Sequence, residues 1–273
     1  MLPQPMDSDQ RLEALRALFH PRSVAIVGAS TNPQKIGGRP VAFLKRGGYR
    51  GAIYPVNPTA QEIQGLPAFA SIGQIGQPVD QAIIALPASL ALPALEECIA
   101  AGVKAVQVFS AGFADAGDEG RALQEELRAC ALRAGVRLLG PNTLGLFNVK
   151  AGFFGTFAIG LDGAWPASGN ISIASQSGAF GSYVFAMAAE RGLGFSHFVT
   201  TGNESDVDVA ECISYLAQDA ATQVIIATLE GCRDGTRLLA ALRMVQAEGK
   251  PVLVMKVGTS EVGAAAAATH TGS

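Results

Sequence analysis

Two periods alternate along most of this 273-residue chain, and together they leave few folds open. Short apolar runs are closed by Gly, Pro, Asn or Ser and separated by longer stretches with helical spacing of Leu and Ala. Runs of that length read as strands buried on both faces, and the stretches between them read as crossover helices. Strand–helix–strand alternation builds a parallel sheet with helices on its faces.

The first set of strands falls at 23–27, 52–56, 81–86, 105–109 and 136–139. Helices are expected at 12–19, within 38–47, at 89–101 with Ser89 as its cap, and at 118–134. The rhythm breaks over 144–169, a glycine-rich stretch holding Phe147, Phe153, Phe154, Phe157 and the sole tryptophan, Trp165. It has room for a hairpin. Alternation resumes with strands at 171–174, 195–199, 224–228 and 252–256 and helices at 178–191, 207–218 and 236–247. The expected fold is α/β. A Rossmann-like domain covers 1–145, a connection 146–169, and a smaller flavodoxin-like doubly wound domain 170–273.

Composition narrows the function classes. Net charge is −3 with no Lys/Arg cluster, which argues against nucleic-acid binding. Charged residues are 16% of the chain against roughly 25% in an ordinary globular protein, which leaves open a surface covered by a partner. No apolar stretch reaches the roughly 18 residues of a membrane helix, and the N-terminus lacks the basic and apolar regions of a signal peptide. Cys98, Cys130, Cys212 and Cys232 show no metal-binding spacing, and the apolar contexts of three of them fit buried free thiols in a reducing cytoplasm.

In sheets of this kind ligands sit at the carboxyl ends of the strands, so the turns there carry the chemistry. Gly28-Ala29-Ser30, with Lys35 further along the same loop, lets backbone approach a phosphate, or is simply a tight turn. It is not GxGxxG, and Asn57 stands where a nicotinamide-binding fold wants an acid for the ribose, so NAD is disfavoured. Ser175-Gln176-Ser177-Gly178 is either an anion site at a helix start or a plain serine cap. Glu230, at a strand end, either orients an imidazole or is a solvated turn acid. Glu204, Asp206 and Asp208 fit helix capping with an acidic first turn better than metal ligation. No metal site is expected.

Three histidines are present. His197 lies in an apolar strand and reads as a packing residue; His20 ends a helix. His270, in Thr269-His270-Thr271-Gly272-Ser273 after a run of alanines, is either an idle residue of a frayed terminal loop or, in a site-like setting, a covalent nucleophile or phosphate carrier.

Nine short segments then fall in one order: GAS with NPQKIGG, YPVNP, ALPA, EC with GVK and SAGF, GPNTLG, SQSGA, TGNESDVD, LEG and THTGS. This series resembles the NDP-forming acyl-CoA synthetases, relatives of the succinyl-CoA synthetase alpha subunit, over nearly the whole chain. The resemblance implies an acid–CoA ligase working through acyl phosphate and phosphohistidine. It puts the phosphoryl group on His270 and the carboxylate that steadies its ring at Glu230. The helix start at Ser175, Ser177 and Gly178 would face the phosphate. Coenzyme A would lie along Gly28, Ala29, Ser30, Lys35, Asn57, Pro58, Pro87, Ser110 and Asn142. Thr143 replaces the cysteine of succinyl-type enzymes, which separates the acyl pocket from theirs.

Members of that family use ATP or GTP with Mg through an ATP-grasp domain, on the same chain or on a beta-type subunit. No such segment occurs in these residues. The expectation is that they bind CoA and a small carboxylic acid or its acyl-CoA, form an oligomer, and need that partner for turnover. The competing reading is a non-catalytic CoA-binding regulatory module; His270 and Glu230 together favour the enzyme.

Overall fold

A computed structural model describes residues 8–260, with side chains from 14 onward. His270 and its neighbours lie outside the described residues.

Helix α1 (Ser8–Phe19) leads into β1 (Ser23–Val27), α2 (Arg39–Arg46) and β2 (Ala52–Val56). A two-residue-per-strand hairpin follows, β3 (Glu62–Ile63) and β4 (Leu66–Pro67). Then come β5 (Gln81–Ile84), α3 (Ala91–Ala100), β6 (Ala105–Val108), α4 (Asp118–Ala134) and β7 (Arg137–Leu139). The five strands form a parallel sheet in the order β2-β1-β5-β6-β7. Every residue of β1, β5 and β6 is buried, as expected for strands covered on both faces. The order reverses between β1 and β5, so a crevice opens at their carboxyl ends. Ser89 does not cap α3: it lies in a single 3-10 turn at Ala88–Leu90, and no side chain caps the helix. Gly135 ends α4 in the left-handed conformation at φ 69°, the usual glycine stop.

The aromatic stretch does contain a hairpin. Strands β8 (Gly145–Asn148) and β9 (Phe153–Thr156) pair antiparallel, and β8 pairs antiparallel with β11 (Phe195–Thr200). After the short α5 (Gly160–Gly163) come β10 (Ser168–Ser175), α6 (Gly178–Glu190), α7 (Val209–Gln218), β12 (Val224–Leu229), α8 (Gly235–Ala247) and β13 (Val252–Lys256). The second sheet runs β13-β12-β10-β11-β8-β9. Its parallel part reverses direction around β10, which places a second crevice where β10 and β12 end.

The two units share one packed body. Leu15, Leu18 and Phe19 of α1 sit in the same apolar cluster as Val199 of β11 and Ile213 and Leu216 of α7. From the other side α2 reaches the hairpin. Arg39 pairs with Asp162 at 2.6 Å, the Arg46 guanidinium lies 4.2 Å from the Trp165 ring centre, and Phe43 meets the same ring edge-on.

Two buried polar groups stand out. Arg137, 1% exposed, pairs with Asp206 at 2.8 Å and Glu211 at 2.6 Å. This ties the last strand of the first sheet to the start of α7. His197 is fully buried in β11, and burial pushes its imidazole down to about 4. Of the cysteines, Cys98 and Cys212 are buried, Cys130 is half-buried and Cys232 is exposed; burial pushes the Cys98 thiol up to about 12.

Candidate functional site

The first crevice is shaped by glycine. Gly28 leaves β1 at φ 86°, and a Cβ there would come within 2.7 Å of the Ala85 carbonyl oxygen. A Cβ on Gly37 would meet the Gly28 carbonyl at 2.0 Å, and one on Gly38 the Asn32 carbonyl at 1.9 Å. The loop therefore folds back on itself with no room for side chains. Its first amides are already used: Gly28 and Ala29 donate to Val56 O, and Ser30 to Gly37 O. What remains facing outward is the Ser30–Lys35 rim, with Lys35 exposed.

Asn57 acts as a staple. Its Nδ2 donates 2.9 Å to Ala29 O, and its Oδ1 accepts from Thr59 N and Ala60 N. This locks the turn after β2, which includes the exposed Pro58, to the β1 loop. Pro87 is exposed at the end of β5. Ser110 follows β6, and its buried Oγ has no hydrogen-bond partner, while its carbonyl accepts from Asn142 N at 2.8 Å. An unsatisfied buried hydroxyl at the ligand edge of a sheet suits a polar ligand atom. Asn142 itself is held at φ 59° after Pro141, and its Nδ2 donates to Asn203 Oδ1 at 3.2 Å. Thr143 is 1% exposed and spends its hydroxyl on the Thr200 main-chain carbonyl and side chain, so it does not line an open pocket.

The second crevice gathers Ser175, Ser177, Gly178 and Glu230 where β10 and β12 end. Ser175 is fully buried and bonded to Thr228 Oγ1 and Ser177 O, a structural role. Ser177 caps α6 by accepting from Phe180 N at 3.2 Å. Gly178 opens that helix, and a Cβ on it would strike Leu144 Cγ at 2.6 Å. Glu230 is half-buried; Lys256 Nζ donates to its carbonyl at 2.6 Å.

Sequence reasoning passed over Gln176, between the two serines. Its Oε1 accepts the backbone N–H of Glu230 at 2.5 Å and of Gly231 at 2.9 Å, and its Nε2 donates to Glu204 at 2.6 Å. The signal was a long polar side chain at the ligand edge of a buried strand. Glu204 sits at φ 53° and also accepts from Thr201 Oγ1 and Val209 N. Burial nonetheless raises its carboxyl above the ordinary value, against the pull of these donors. Asp206 accepts from Arg137 and Leu138 N, and Asp208 caps α7 through Glu211 N, so all three acids of this loop serve the fold. A cavity of about 390 Å³ opens behind the Gln176 bridge, with Glu204, Ser205 and Arg233 in its wall.

The two crevices are joined by the same loop. Asn203, next to Glu204, accepts from Asn142 and donates to Asp115 and Gln124 of the first unit, at 2.9 Å each.

Comparison with known proteins agrees with this geometry. Residues 22–148 match the family model described as a CoA binding domain, and residues 168–273 match the succinyl-CoA ligase like flavodoxin domain. The chain is 41% identical over 95% of its length to acetate–CoA ligase [ADP-forming] I of Archaeoglobus fulgidus, covering 37% of that protein. It is 38% identical over 93% of its length to the alpha subunit of acetate–CoA ligase [ADP-forming] II of Pyrococcus furiosus, covering 54% of it. It superposes with a TM-score of 0.87 on a dinucleotide-forming acetyl-coenzyme A synthetase 1 of Ca. Korarchaeum cryptofilum, solved with phosphate and ADP. Identity there is 37%, over 95% of this chain and 55% of that one. The chain thus spans about a third to a half of these relatives. With both crevices and both domain matches in place, the chain comprises a CoA-binding domain followed by a succinyl-CoA ligase like flavodoxin domain, and its homologues are ADP-forming acetate–CoA ligases.

Proposed function

We propose that this chain is the CoA-binding and phosphoryl-carrying portion of an NDP-forming acid–CoA ligase. One observation carries the reading: the Glu230 turn and the start of α6 meet at a single sheet reversal and are tied together by Gln176. A helix start favours a dianionic phosphoryl group, and a carboxylate beside an imidazole fixes its tautomer.

In this reading Gly28, Ala29, Ser30, Lys35, Asn57, Pro58, Pro87, Ser110 and Asn142 bound the path of CoA. Lys35 supplies a counter-charge and the Ser110 hydroxyl a hydrogen bond. In the direction that consumes acyl-CoA, inorganic phosphate attacks the acyl carbon, the carbon–sulfur bond breaks, and CoA departs as its thiol, leaving an acyl phosphate. His270 then takes the phosphoryl group from the acyl phosphate: the bond from phosphorus to the carboxylate oxygen breaks, a bond from phosphorus to nitrogen forms, and the free acid leaves. Glu230 holds the proton on the other ring nitrogen, and the amides at Ser177 and Gly178 bind the phosphoryl oxygens. The nucleotide, with Mg, is held by an ATP-grasp domain or beta-type subunit, and the relatives' names favour ADP and ATP. The acid is a small carboxylic acid, and the assembly works in the cytoplasm as an oligomer.

The test combines the chain with its ATP-grasp partner, acyl-CoA and labelled phosphate. An acid-labile label lost in His270→Ala and reduced in Glu230→Gln is the expected result. CoA binding with no label in any condition overturns the ligase in favour of a CoA-binding regulatory module.

A further inference from the structure

His20 and His197 are 177 positions apart, and neither takes part in the site above. The structure brings them together with Asp219. One ring nitrogen from each histidine and a carboxylate oxygen of Asp219 all lie within 4.8 Å of one another. From this juxtaposition we propose that His20, His197 and Asp219 form a binding site for a divalent transition metal of the Zn²⁺ or Co²⁺ type.

The fully buried member sets the argument. His197 is 0% exposed, and neither of its ring nitrogens has a hydrogen-bond partner. Buried polar side chains almost always have one. The nearest acceptor, Asp219 Oδ2, is 3.5 Å from Nδ1. That is long for a nitrogen–oxygen hydrogen bond, whose usual length is about 2.9 Å. It is the right separation for two ligands on one ion, because atoms about 2.1 Å from a tetrahedral centre stand about 3.4 Å apart. The two imidazole centres are 5.6 Å apart with planes at 70°. Two rings on one tetrahedral ion have centres about 5 Å apart by the same geometry. His20 is the exposed member, so rotation of its ring closes the remaining gap.

The surroundings fit ligands rather than accidental neighbours. Thr222 Oγ1 donates to Asp219 Oδ2 at 2.6 Å. Such an outer partner fixes ligand orientation. Two imidazoles and one carboxylate select Zn²⁺, Co²⁺ or Ni²⁺ over Mg²⁺ and Ca²⁺, which want oxygen donors. The exposed side leaves a fourth position for water. The ion would fasten the end of α1 to β11 and to the end of α7, across the two units. Arg16 and Lys150 place positive charge near His20, so affinity falls below that of a thiolate site.

The test uses the 273-residue chain after chelator treatment and dialysis, with Cys232→Ser to remove the exposed thiol. Zn²⁺ and Co²⁺ are titrated by calorimetry, with Co²⁺ also followed by its visible absorption and Tm read at each point. The expected result is one equivalent bound, intense visible bands of a four-coordinate cobalt centre, and a Tm that rises with metal. Mg²⁺ should give none of these. His20→Gln, at an exposed position, should weaken binding at least about tenfold without unfolding the chain, and Asp219→Asn should do the same. His270→Ala should leave binding intact. Absence of stoichiometric uptake, or uptake unchanged in His20→Gln, overturns the site.

Discussion

Gln176 holds Glu230 by its main chain: the side-chain Oε1 accepts the Glu230 N–H at 2.5 Å, while Nε2 is fixed on Glu204 at 2.6 Å. The position of the Glu230 carboxylate therefore depends on an amide whose two ends cannot be exchanged. Reversed, the NH₂ would face two donors and the oxygen would face a carboxylate.

Gln176→Glu should lower phosphohistidine formation by about 10- to 100-fold at neutral pH, the scale of losing one to two buried hydrogen bonds. The new carboxylate still accepts both N–H groups but repels Glu204. Acidification should restore part of the loss relative to wild type, because a protonated carboxyl can donate to Glu204 again. CoA affinity should be unchanged. Labelling rates against pH, with a CoA titration beside them, check this.

Gly28→Ala should weaken CoA binding more than tenfold. The added Cβ lands 2.7 Å from Ala85 O at φ 86°, so both contact and conformation oppose it. Strain of this type is of order 1–3 kcal/mol. Gly48→Ala is the control for the conformational part alone, since Gly48 shares a positive φ of 71° but an added Cβ there would have nothing within 4 Å. Calorimetry with CoA and thermal melts of both variants separate the two contributions.

Arg137→Leu should destabilise the chain by about 3–5 kcal/mol, because it removes the buried cation that Asp206 and Glu211 share. Tm should fall by roughly 10 °C for a domain of this size. Arg137→Lys should recover only part, having one ammonium for two carboxylates. Differential scanning calorimetry tests both.

Asp80 gives the pH dependence. Burial alone would raise its carboxyl, but hydrogen bonds from the Arg22 main chain and side chain, with Lys104 at 3.3 Å, pull it below 3.8. Below 3.8 the unfolded chain takes up the proton more readily than the folded one. The stability due to this carboxylate is thus complete above 3.8 and lost as pH falls through the lowered folded value. Asp80→Asn should flatten that acid limb, read as Tm against pH.

Much of this fold was legible because its central strands carry runs of four apolar residues, as within Ser23–Val27 and Val224–Leu229. The carboxyl ends of the strands could be read from the same runs, and Ser177, Gly178 and Glu230 follow two of them, β10 and β12, while the strand order came only with the structure. The pairing of Gly145–Asn148 with Phe195–Thr200 was not legible, since antiparallel addition of a hairpin leaves no mark of its partner in the sequence. Arg137 read as an ordinary residue at the start of a strand; its two acids lie about seventy residues away, Asp206 in a loop that looked like helix capping and Glu211 in α7. Asn57 was weighed as a missing ribose ligand, whereas its amide binds main chain on both sides. Contacts between distant polar residues have no period, and so the His20–His197–Asp219 group was equally hidden.

The docking of α2 against Trp165 has a mechanical consequence. Arg39, Phe43 and Arg46 all bear on the hairpin side of the second unit, and α1 grips it from the opposite end. With fasteners at both ends, the described residues form a stator rather than a hinge. The crevice at the ends of β1 and β5 and the crevice at the ends of β10 and β12 are therefore held at one spacing.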